Sequence, residues 1–163
     1  MPEQSKRSAR EDEDEAERLD RELLELLNEL RVVMPGVQVL FGFLLTVPFQ
    51  ARFTDVTDFQ KIVYFVTLLL TAASAAFLMG VSAFHRLTFR HHQKPYLVHL
   101  GTRQMIVGLV LLALAMNGAL LLLTDTLFEA PTVVVTVTLS SALFVWLWFG
   151  LALSRLRTGK QEW

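Results

Sequence analysis

Four histidines fall within fifteen residues: His85, His91, His92 and His99. Imidazoles at that density are the first place to look for chemistry, because such a set could hold zinc or haem. Neighbouring His91 and His92 would face different sides of a helix. Neither cysteine nor acid stands beside them to complete a tetrahedral site. The segment therefore reads as a solvated connection, and no metal is expected. The chain has no cysteine, which removes disulfides, thiolate sites and cysteine nucleophiles. It also lacks a glycine-rich phosphate loop, GxSxG, HExxH and a convergent pair of carboxylates. The expectation is a protein that is not an enzyme, with no cofactor and no nucleic-acid partner.

The remaining polar groups lie in apolar surroundings. Gln38, Gln50 and Asn117 are neutral amides, joined by hydroxyls at Thr46, Thr67, Thr71, Ser74, Thr136, Thr138, Ser140 and Ser141. Two roles fit them: a neutral polar pathway for water or an ion, or hydrogen bonds between helices worth roughly 0.6–2 kcal/mol each. No Asp, Glu, Lys, Arg or His accompanies them in the runs 32–51, 62–84, 105–124 and 130–154. Proton-coupled carriers hold an ionisable group within the membrane, so carboxylate-based antiport is poorly supported.

These runs define the elements that must position the amides. The chain is 53% hydrophobic with mean hydropathy +0.43, above the composition of soluble domains. Each run is about 20 residues or longer, enough for a helix to cross roughly 30 Å of hydrocarbon. The backbone must pair internally there, so each run is helical. The fold class expected is an all-α membrane protein, a four-transmembrane-helix bundle with an N-terminal amphipathic cytoplasmic helix. Spans are placed at about 34–51, 62–84, 104–124 and 131–154 within a membrane domain 34–157, followed by a short tail 158–163. In the second span Ala72, Ala76 and Gly80 form a small-residue ridge suited to close helix packing.

Basic residues orient the spans. Arg18, Arg21 and Arg31 precede the first; Arg86, Arg90, Lys94 and Arg103 occupy the second connection; Arg155, Arg157 and Lys160 follow the last. The other two connections hold only Arg52 and Lys61. Both termini and the second connection are thus expected in the cytoplasm, and Arg86, Arg90, Lys94 and Arg103 become candidate contacts for anionic lipid. Phe49, Phe53, Phe59 and Tyr64 fall at the outer boundary, Trp146 and Trp148 toward the inner one.

Residues 1–16 are charged and nearly free of large apolar groups, a composition expected to be disordered. From 17 to 33 the leucines 19, 23, 24, 26, 27 and 30 recur at helical spacing, which predicts an amphipathic helix. Its polar face is acidic, unlike that of a binder of anionic lipid, so residues 17–31 are the candidate contact for a cytoplasmic protein or a second subunit. Pro35-Gly36 predicts a break or kink before the first span.

The run LNELRVVMPGVQVLFGFLLTVPFQARF (27–53) resembles the opening of a family of small four-span bacterial membrane proteins, frequent in actinobacteria and known as a domain of unknown function. The resemblance extends over roughly residues 19–157. It implies the same four-span architecture in a bacterial cytoplasmic membrane and supplies no catalytic residues. Some members carry a sodium:proton antiporter label. The function expected is a non-enzymatic structural or regulatory role through the cytoplasmic helix and basic loop. The alternative is a homo-oligomeric ion channel or transporter with a neutral pathway past Gln38 and Asn117.

Overall fold

The computed structural model describes residues 2–88 and 94–150. Four α-helices account for most of them: α1 Pro2–Thr46, α2 Asp58–Thr88, α3 Lys94–Leu127 and α4 Ala130–Val145. Two 3-10 segments, Val47–Phe49 and Ala51–Asp55, link α1 to α2, and a π-helical turn Trp146–Gly150 continues α4. No strand occurs among the described residues. Each helix contributes a segment long and apolar enough to cross a membrane: Glu17–Phe49, Asp58–Ala83, His99–Leu127 and Ala130–Trp148. The protein is a multi-pass, all-α membrane protein.

α1 takes in the whole N-terminal part of the chain. It is one helix of 45 residues, where the sequence suggested a disordered tail, a separate amphipathic helix and then a span. Proline at the first helical position is favourable, and the Glu, Arg, Lys and Ala that follow are strong helix formers. Low apolar content therefore does not leave residues 2–16 without structure. Pro35 lies inside the helix without ending it. It withdraws a single N–H, the one that would reach the Arg31 carbonyl, and membrane helices tolerate such a loss where neighbouring groups compensate.

The chain divides into two compact units. In the first, 1–43 with 71–110, the buried residues are Leu30 and Val37 of α1, Thr71, Ser74, Leu78 and Val81 of α2, and Gly101, Met105 and Gly108 of α3. α2 and α3 run antiparallel here, so Gly101 faces Val81 while Gly108 faces Leu78. A Cβ on Gly108 would fall 2.7 Å from Leu78 Cγ, so only glycine allows the two helices to lie this close.

The second unit comprises 44–70 and the chain from Leu111 onward. Leu44, Tyr64, Thr67, Leu112, Ala115, Thr124 and Val133 are buried. Val133 is the buried residue of α4, Thr136, Val137, Ser140, Ser141 and Phe144 are half-buried, and its other residues are exposed and suited to lipid. Along α2 the buried positions 64, 67, 71, 74, 78 and 81 alternate steps of three and four, the repeat of left-handed helix packing. Tyr64 is 7% exposed. Phe49 and Phe59 are exposed.

Candidate functional site

The polar side chains of the spans are largely occupied with helix backbone and with one another. In the first unit, buried Ser74 donates from Oγ to the Gly108 carbonyl at 2.7 Å, joining α2 to α3. In the second unit, Asn117 Nδ2 donates to the Ala113 carbonyl at 2.9 Å. Its Oδ1 accepts from Ser141 Oγ at 3.2 Å, joining α3 to α4. Thr124 and Thr126 bond back to carbonyls one turn earlier in α3. Tyr64 donates to the Leu44 carbonyl at 3.0 Å. Pro48, four residues after Leu44, has no N–H to offer that oxygen, so the phenol occupies the place of a missing amide. Phe53 meets the same ring edge-on at 5.4 Å between centroids.

The other amides lie apart from these contacts. Gln38 is exposed on α1, with no hydrogen bond to a described residue. Gln50 is exposed in the link after α1, where its backbone N–H donates to Val47 O at 3.1 Å and its carbonyl accepts from Phe53. Gln38 and Asn117 lie in different units. Gln104 Oε1 is buried without a partner, beside Gly80.

Along the small-residue ridge of α2, Gly80 lies against Gln104 of α3. Ala76 is exposed, and Ala72 and Gly80 are half-buried. The buried seam of α2 runs through Thr67, Thr71, Ser74 and Leu78, opposite glycines of α3. Of the candidate lipid contacts, Arg103 is exposed on α3. Arg90 lies outside the described residues, as do His91 and His92. Arg86, Lys94 and His85 belong to helices, but their side chains are outside the described set. No group of three metal-ligating side chains occurs among the described residues.

The acidic portion of α1 borders an open cleft. Glu22, Glu25 and Glu29 of α1, with Leu26 at their centre and Thr102 of α3, line a cleft of about 200 Å³. Packing of Leu26 against the Gly101 position holds the two helices together there. Arg18 pairs with Glu22 at 3.0 Å. Glu25 and Glu29 have no ion pair with a described residue.

A family model of unknown function, DUF6328, matches residues 12–152, which take in this acidic helix along with all four membrane-crossing segments. The chain belongs to the DUF6328 family. No curated protein and no solved structure matches it.

In this DUF6328 chain, several structural residues escaped the sequence reading. Thr57 and Gln60 form a reciprocal cap at the start of α2: Gln60 N–H donates to Thr57 Oγ1 at 3.2 Å, and Thr57 N–H donates to Gln60 Oε1 at 3.0 Å. Gln60 Nε2 then donates to Asp125 Oδ2 at 2.9 Å, bridging to the end of α3. The T-x-x-Q pattern was a usable signal for the cap. Nothing in the sequence pointed to Asp125.

Proposed function

We propose that the protein is a non-enzymatic component of a bacterial cytoplasmic membrane, structural or regulatory in role, that engages a basic partner through the acidic face of α1. The observation that carries this reading is the unbroken run of α1 from its charged N-terminal portion into its membrane-crossing portion. Residues 1–31 hold 11 Asp and Glu against 6 Lys and Arg. The bias of basic residues toward alternate connections puts this portion, with both termini, on the cytoplasmic side. A partner with lysine or arginine would find Glu25 and Glu29 unpaired there, and its binding would weaken with salt.

The competing reading, an oligomeric channel or transporter, is less favoured because the Asn117 and Ser74 side chains are committed to helix contacts. Reconstituted protein under imposed sodium, potassium and proton gradients discriminates the two. The expected result is no flux above empty liposomes. Specific flux abolished by Asn117→Leu would replace the structural reading with transport. For the partner, a photo-crosslinker at exposed Asn28 in native membranes is expected to yield a discrete adduct that Glu25→Lys/Glu29→Lys in the same chain abolishes. A single adduct indifferent to those charges would refute a basic partner.

A further inference from the structure

At Gln38 the structure leaves a primary amide exposed on the membrane-crossing portion of α1. It lies seven residues beyond Arg31, about 10 Å along the helix axis, inside a hydrocarbon core roughly 30 Å thick. It is exposed and makes no hydrogen bond to a described residue. One turn on, Gly42 lies on the same face, and a Cβ built there meets nothing within 4 Å. The amide therefore stands beside an open patch of backbone. Lipid tails offer it no partner, and soluble proteins do not reach this depth.

We infer that the Gln38–Gly42 face of α1 is the contact between two copies of this chain. A primary amide carries both donors and an acceptor, so it is complementary to itself. A two-fold axis beside α1 would set Gln38 against Gln38 of a second copy, each N–H donating to the other's oxygen, in the self-complementary manner of symmetric dimers. Gly42 would let the two helix backbones approach closely enough for these bonds to form. A second copy supplies a complementary group at the same depth by construction. The interface is independent of any partner held by the acidic face.

The absence of cysteine permits a clean test. Full-length protein carrying Glu17→Cys, labelled with donor or acceptor dye, is reconstituted over a range of protein-to-lipid ratios, and association is read by energy transfer. A saturable monomer–dimer equilibrium is expected. Gln38→Leu should weaken it roughly tenfold, and Gly42→Ile, which keeps the amide, should weaken it comparably. Gln38 is exposed and a Cβ at Gly42 meets nothing within 4 Å, so circular dichroism should show unchanged helix content. Phe43→Leu, exposed on a different side of α1, should leave the equilibrium alone. Energy transfer at the level of chance encounters at every density would overturn the inference. A dimer indifferent to Gln38→Leu and Gly42→Ile, or weakened equally by Phe43→Leu, would overturn it as well.

Discussion

Replacing the Tyr64 hydroxyl tests whether a side chain substitutes for a backbone donor. Tyr64→Phe keeps the ring and its edge contact with Phe53 and removes only the bond to the Leu44 carbonyl. Both residues are buried, at 7% and 4% exposure, so water is poorly placed to take over. Hydrogen bonds inside membrane proteins are worth about 0.6 kcal/mol on average and up to about 1.7. A buried acceptor left without a donor costs about 1–3 kcal/mol. A loss of about 1–2 kcal/mol is expected. The same substitution in a Pro48→Ala background should cost at least about 1 kcal/mol less, because alanine restores the N–H that the helix geometry directs at Leu44. Unfolding equilibria in mixed detergent micelles, for the four proteins of this cycle, provide the measurement. Equal losses in both backgrounds, within the roughly 0.3–0.5 kcal/mol of ordinary additivity, would refute the pairing of Tyr64 with Pro48.

Two further substitutions probe how the helices are held. Gly108→Ala forces a Cβ to within 2.7 Å of Leu78; the overpacking cost of about 1–3 kcal/mol should exceed the roughly 1 kcal/mol gained in helix propensity, and the loss should shrink in a Leu78→Ala background when unfolding is measured. Gln60→Ala removes one half of the α2 cap and the bond to Asp125, with an expected loss of about 1–2 kcal/mol. Gln60→Glu should cost more at neutral pH, since it sets a second carboxylate against Asp125; a Glu variant as stable as wild type would contradict the bridge.

The number of spans was legible because an uncharged run of membrane length has few alternatives, and their helical character followed from the same runs. The continuity of α1 was not, because proline was weighed only against its own turn and the charged tail only by its apolar content. The helix seam was half legible. Gly101, Gly108 and Ala115 recur at seven-residue steps, as do Leu30, Val37 and Leu44, and this repeat marks the buried faces. The ridge of Ala72, Ala76 and Gly80 repeats every four and lies to one side. Spacing alone lists candidate faces; it does not say which one another helix covers. Asn117 stood out by type, but its partner Ser141 comes from the next helix and could not be chosen among four hydroxyls of similar position. Tyr64 was read by its amphipathic character, and its real partner depends on a proline sixteen residues earlier.

The continuity of α1 through Pro35 also makes it a lever. Residues 2–31 continue the membrane-crossing portion without a joint, a rod of about 45 Å at 1.5 Å per residue. A change of about 10° in the tilt of the span would swing the far end of that rod by about 8 Å. Membrane helices change tilt when the bilayer thickens or thins. A small adjustment to the lipid surroundings is thereby magnified at the acidic end, where it becomes a displacement comparable to the width of a side chain.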